Sequence, residues 1–494
     1  MSSVVPSASP FVSAPTTKLL LSPATLSSRS RRLSATATAT ATDTFHRLGG
    51  VWESLQVSRS GQFSPERLRA LDEYSARASL PRCLAVLLLT PVPSLAFVLL
   101  LESLALRPPA AWRSDAAIWL RMALTTTSMG YCYVLQFRQV IPELPVTQRR
   151  SWAIGAIASA CYLAFLALLA TYWTFPVPLG FVVTATPYSV FLSLAVGLVL
   201  GVAQIRAIPA IASRARQLVH VLLVQSLLVF VYPAYTALFV WLDASQQPYF
   251  VVCLPAIKLA AKNLMARACL GTRLEDQAPE ITVFSVELFN ALYLSACVSV
   301  AGSAQTTMAV IMALDLGQTL LSLRALRRRA RRLQATSPDG HASASGGGGG
   351  GGGGGDGSLA TRKLLFSAEY LVLVEYIECF IPAVSLAYTA VVRRWPNAQF
   401  YPRLRRMTDA QASHTAASLA VYVGVEVLSL LLLVALARRW LGVNMLRHLA
   451  FVLERDVVVI QAKLLVWVTY SLTFTLEHSG MDFERITTWL ERKT

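Results

Sequence analysis

The chain has 494 residues, of which 54% are hydrophobic and only 14% charged, where soluble domains carry about 25% charged residues. A soluble protein of this length needs a charged skin over two or more cores, and there is too little charge here to supply one. The net charge of +17 comes from arginines clustered beside apolar segments, the pattern of membrane orientation and not of nucleic-acid binding.

In chain order, residues 1–62 read as a disordered Ser/Thr/Ala-rich tail, with an Ala-Thr repeat at 35–42 and no acid before Asp43. Basic residues without acids are also the mark of an organelle transit peptide. Lys18, Arg29, Arg31 and Arg32 are too few for that, and they show no amphipathic period. A juxtamembrane helix is expected within 63–80. Ser64-Pro65-Glu66 supplies an N-cap, a proline at N1 and a first-turn acid, and Leu68, Leu71 and Tyr74 share one side.

Eleven apolar segments follow, at 83–104, 118–137, 152–174, 182–204, 218–241, 249–269, 281–301, 304–323, 366–392, 415–437 and 457–476. From Ser151 to Ile205 no Asp, Glu, Lys, Arg or His occurs. Trp152 and Trp173 bracket the third segment, roughly 31 Å apart along a helix, as interfacial anchors should. The weakest segment is 249–269, which carries Lys258, Lys262 and Arg267. If it lies in the interface instead, the count is ten. An eight-span block at 81–332 is joined by a Gly-rich linker at 333–360, with ten glycines at 346–355, to a three-span block at 361–478. A C-terminal tail covers 479–494.

Charge parity favours eleven crossings and a cytosolic N-terminus. Arg67, Arg69, Arg77 and Arg82, then Arg138, Arg149 and Arg150, then Arg206, Arg214 and Arg216 all fall inside. So does the run Arg324, Arg327, Arg328, Arg329, Arg331 and Arg332, which would fall outside with ten crossings. Arg393, Arg394, Arg403, Arg405 and Arg406 come out external, against the rule. The Arg324–Arg332 run also suits anionic lipid heads, at about 1 kcal/mol per residue.

The residues with functional promise are the ionisable ones within spans, each costing about 2.5–3.5 kcal/mol at a helix centre and so wanting a partner or a wet cavity. Asp315, Glu378 and Glu426 lie near mid-span, with Glu369 and Glu375 on the same helix as Glu378, and Glu287 a turn inside its own. Arg121, Lys258, Lys262 and Lys463 oppose them, and His220 lies near a span end. Glu375 and Glu378 share a helix face at i, i+3, and Pro382 frees the Glu378 carbonyl. A paired acid beside a freed carbonyl suits cation coordination or proton relay. Lys258, Lys262 and Asn263 form a second polar face beside Pro255. The alternative is that such charges are ion pairs that fix helix order.

Other features are weaker. Gly197-x-x-x-Gly201 permits close helix approach, expected to be internal packing. Pro91, Pro93 and Pro233 imply kinks. The seven cysteines form no CxxC pair and read as small buried hydrophobes. No metal, nucleophile or nucleotide motif occurs, and the six histidines lack ligand spacing. Neither a cofactor nor an enzymatic activity is expected.

Three stretches carry a resemblance: SPERLRALDEYSARASLPRCLAVLLLTPVPS from Ser64, EYLVLVEYIECFIP from Glu369 and HLAFVLERDVVVIQAKLLVWVTYSLTFTLEHSGMDF from His448. They resemble a family of multi-pass membrane proteins of oomycetes, over nearly all the chain except the tail and the glycine linker. The resemblance implies a eukaryotic multi-pass fold with an integral juxtamembrane helix, and no activity or site residues. The leading expectation is therefore a transporter or channel-like protein passing an ion or small solute along Glu375, Glu378, Asp315, Glu426, Lys258 and Lys262. The runner-up is a receptor or scaffold whose charges are structural.

Overall fold

Helix starts follow the caps that the sequence supplies. In a computed structural model, which describes residues 56, 59, 61–243, 245–300, 305–336 and 354–480, Ser64 accepts from the Arg67 N–H and opens α1, Pro65–Arg77. Leu71 is buried, and Leu68 and Tyr74 pack beside it. The order continues with α2 (Leu80–Leu89), α3 (Val92–Ser103), α4 (Ala116–Val140), α5 (Gln148–Tyr172), α6 (Gly180–Leu200) and α7 (Ile211–Trp241). Then come α8 (Leu254–Cys269), α9 (Leu288–Val300), α10 (Gln305–Thr336), α11 (Gly354–Val392), α12 (Asp409–Leu441), α13 (Met445–Arg455) and α14 (Val457–Thr473). The described elements are helical throughout.

Seven of the described helices are long and apolar enough to cross a membrane. They are Leu80–Ser103, Gln148–Tyr172, Val183–Leu200, Ile211–Tyr232, Tyr249–Cys269, Leu359–Val392 and Asp409–Trp440, with Val457–Thr473 a shorter apolar helix. Leu88, Leu198, Leu428 and Leu431 stand exposed on them, a surface that suits hydrocarbon. Trp152 and Trp173 are also exposed, at opposite ends of α5. The protein is a multi-pass membrane protein. The apolar stretch of α11 is 83% buried, against 28–39% for the other six, so the helix bearing Glu369, Glu375 and Glu378 is the central one.

Loops meet at two ends. At one, Gln62 and Ser64 donate backbone N–H groups to Glu275 and Asp276. Glu143 pairs there with Arg214 and Arg273, and Arg329 donates to Ser367. At the other, Leu106 N–H donates to Asn397, His478 meets the Arg107 carbonyl, and Arg405 pairs with Glu477. Tyr249–Cys269 finishes at the first end, where the Gly271 N–H donates to Glu275. Lys258 and Lys262 are buried within it, unlike the snorkelling lysines of an interfacial helix.

Several expectations need correction. Packed chain begins before residue 63: Gln56 is buried, and a Cβ at Gly61 would fall 2.5 Å from the Phe366 ring. The rest of the expected disordered tail lies outside the described residues. So does most of the 333–360 linker, although α10 runs to Thr336 and α11 starts at Gly354. Of the C-terminal tail, 481–494 lies outside, while Gly480 accepts from Leu179 N–H. Gly197 and Gly201 are not a close helix contact. A Cβ at Gly197 would meet only Val202 at 3.6 Å, and Gly201 ends α6 with a positive φ. The close approach is between α4 and α5, where a Cβ on Gly130 would lie 2.7 Å from the Gly155 Cα. Pro91 does separate α2 from α3, whereas α7 and α11 run unbroken past Pro233 and Pro382. Pro91 has no N–H for the Leu87 carbonyl. The Tyr376 hydroxyl donates to that oxygen instead at 2.6 Å, and Gln461 serves the Thr90 carbonyl at 2.8 Å.

Candidate functional site

Six buried ionisable residues from α8, α10, α11, α12 and the segment before α9 converge mid-bundle: Lys258, Lys262, Glu287, Asp315, Glu378 and Glu426. Lys258 and Lys262 lie one turn apart on α8, so both ammonium groups point the same way. A π-helical turn at Val283–Glu287 carries Glu287 against them. Such bulges are enriched at functional sites because the extra residue redirects a side chain. Lys258 Nζ lies 2.9 Å from Glu287 Oε2 and 2.7 Å from Glu378 Oε1, and Lys262 Nζ lies 2.7 Å from Glu287 Oε1. Lys262 also sits over the Tyr370 ring, 5.2 Å from its centroid.

Beyond Lys258 the cluster turns acidic. One carboxylate oxygen from each of Asp315, Glu378 and Glu426 lies within 4.8 Å of the others. Tyr422 donates to Asp315 Oδ2 at 3.1 Å. Glu375 does not pair with Glu378, although the two share a helix face. It accepts from Thr319 at 2.7 Å and Ser429 at 2.6 Å. A cavity of about 20 Å³, room for about one water, lies beside Asp315 and Lys258 and is also lined by Asn290, Gln318 and Pro255.

Charge counting describes the site. Two ammonium groups face four carboxylates, leaving two surplus negative charges among the described residues. Widening the circle to Glu375 and to Arg59, whose field reaches Glu287 and Glu375, adds one charge of each sign. Carboxylates this close in a low-dielectric interior cannot all stay ionised and uncompensated. The arrangement can therefore hold protons or a cation.

Five of the six expected site residues thus meet in one cluster, together with Glu287, and the sixth, Glu375, lies one turn away. Asn263 is only half-buried and His220 is exposed. Lys463 is buried on α14 itself. Arg121 belongs to a separate network with Glu102 (2.5 Å), whose carboxylate also accepts from Tyr401 (2.5 Å) and Tyr388 (3.0 Å). Glu369 likewise leaves the cluster. It accepts from Arg67 at 2.7 Å and meets His448 at 2.5 Å, while Arg67 also holds Glu280 at 2.6 Å. Within the Arg324–Arg332 run, Arg329 bonds Ser367 and Arg327 stacks on Trp440. The arginines at 393–406 are partly neutralised, Arg393 by Asp409 and Arg405 by Glu477.

Thr319, Tyr422, Ser429 and Asn290 did not stand out in the sequence, yet spacing marks three of them. Thr319 follows Asp315 by four residues, Tyr422 precedes Glu426 by four and Ser429 follows it by three, so each shares a face with an acid. No family model, curated protein or solved structure matches the chain.

Proposed function

We propose that the chain crosses the membrane eleven times and moves an ion or small solute past the cluster of Asp315, Glu378, Glu426, Glu375, Lys258 and Lys262. The two surplus negative charges carry this reading. They sit on the central helix and its neighbours, where each uncompensated charge is costly, and they adjoin a small cavity that Asn290 and Gln318 line together with apolar side chains. A fixed ion-pair network would match cations to acids. A site that loads and unloads protons or cations leaves acids unmatched. The eleven crossings draw support from the meeting of loops at two ends and from the buried lysines of Tyr249–Cys269. Kinship with the multi-pass family of oomycetes belongs to the same proposal and rests on the three strings quoted above.

The test is flux in liposomes containing the purified chain. Asp315→Asn and Glu378→Gln are each expected to abolish uptake that the unaltered protein supports, and unchanged flux in both would refute the pathway.

A receptor or scaffold without a transported substrate is the second reading, favoured by one observation. Both lysines are closed onto carboxylates at 2.7–2.9 Å, as structural ion pairs are. On that reading stability, and no transport rate, tracks the charges.

A further inference from the structure

We infer that Asp315, Glu378 and Glu426 bind one divalent cation of about the size of Ca²⁺, with Asn290 and a water in the adjoining cavity completing its shell. The inference rests on the pathway reading and names the ligand of that site.

Four observations converge. The donors are carboxylate and amide oxygens, the hard ligands that select Ca²⁺-like ions over soft metals. Ligands across a Ca²⁺ ion at 2.3–2.6 Å lie up to about 5 Å apart, and the three carboxylate oxygens lie within 4.8 Å of one another. The about 4 Å span of a Mg²⁺ shell is tighter. The surplus charge is two, which one divalent ion neutralises.

The fourth observation lies outside the acidic cluster. Asn290 is 3% exposed, and its Oδ1 has no hydrogen-bond partner. A buried amide oxygen left bare costs about 1–3 kcal/mol, so a ligand there is favoured. Asn290 shares with Asp315 the lining of the cavity of about 20 Å³, which accommodates one water. This oxygen reaches a cation on Asp315 directly or through that water.

The charged neighbours assist. Lys258 takes Oε1 of Glu378, and Tyr422 takes Oδ2 of Asp315, so each carboxylate is held at one oxygen and offers the other.

The experiment is equilibrium binding of ⁴⁵Ca²⁺ to the full chain in nanodiscs of neutral lipid. One ion per chain is expected, with no equal displacement by Na⁺. Asp315→Asn and Glu426→Gln should weaken binding about tenfold or more, and Asn290→Leu by less. Absence of saturable binding by the unaltered protein below about 1 mM, the weak end for protein Ca²⁺ sites, overturns the inference whatever the variants do. So does full affinity in Asp315→Asn, or equal displacement by Na⁺. Ca²⁺ binding without flux upholds the site and defeats the transport reading. Flux without Ca²⁺ binding does the reverse.

Discussion

At the residue scale, Lys258 is the junction on which the cluster depends. Its ammonium touches both Glu287 and Glu378, so removing it strands Glu378 and leaves Glu287 to Lys262 alone. Breaking a buried pair from one side costs about 3–5 kcal/mol, much of it the orphaned charge. Lys258→Met should therefore lower the melting temperature in detergent sharply, while adding Glu378→Gln should recover part of the loss. Full additivity of the two would show that they do not interact. The mid-span acids of α10, α11 and α12 and the i, i+4 lysines of α8 made this cluster visible in the sequence. What was not visible was which residues would leave it: Glu369 and Arg121 look equivalent by position, yet tertiary partners 79 residues and 19 residues away claim them. His478 carries a pH dependence. Burial holds its imidazole below the ordinary histidine range, and it contacts the Arg107 carbonyl. The unfolded chain then takes a proton near the ordinary value of 6.5 while the folded one resists. Its contribution is full above that pH and is lost on acidification. Melting temperature against pH should fall less steeply for His478→Gln than for the unaltered protein across roughly pH 7.5 to 5.5; identical slopes would remove His478 from the account.

At the element scale, the helices announced themselves and their contacts did not. Hydropathy located the seven long apolar helices because exclusion from water is a property of a segment alone. Close approach is a property of two. Gly130 and Gly155 occur singly on different helices, without a GxxxG pattern, yet they bring α4 onto α5. Gly197 and Gly201 have the pattern, yet among the described residues no other long helix lies within 4 Å of a Cβ at either. Gly130→Ala should cost about 1–3 kcal/mol, as overpacking does, since its Cβ would meet backbone at 2.7 Å. Gly197→Ala should be neutral or stabilise by up to about 1 kcal/mol through helix propensity. Unfolding in detergent reads both, and the reversed order would restore the GxxxG face to importance. Breaks in helices follow the same logic. Pro91 predicted the α2–α3 break, but the Tyr376 hydroxyl that satisfies the freed Leu87 carbonyl comes from a helix 285 residues later in the chain (91 to 376). The π turn before α9 has no proline to announce it.

At the scale of the whole molecule, parity is the decisive quantity, and Tyr249–Cys269 decides it. Its sequence is ambiguous because three cations interrupt an apolar run. Lys258 and Lys262 meet Glu287 and Glu378, and a segment with internal counter-charges no longer desolvates them alone, which supports a crossing. With this helix crossing, the N-terminal tail and the glycine run at 346–355 share one side, and the C-terminus faces the other. Without it, the glycine run moves to the opposite side and the C-terminus joins the N-terminus. Single cysteines placed at residue 30, within 346–355 and at residue 490 of a chain whose native cysteines are replaced should distinguish these outcomes. Labelling by a membrane-impermeant maleimide, with intact cells and with permeabilised ones, should group the first two sites together and set the third apart. The arginine run ending α10 then lies on the N-terminal side. The arginines at 393–406 lie opposite, where Asp409 and Glu477 offset part of their charge and weaken their vote on orientation. Labelling that groups residue 30 with residue 490 instead would make Tyr249–Cys269 a helix that enters and does not cross, and would take with it the crossing order on which the proposed pathway is drawn.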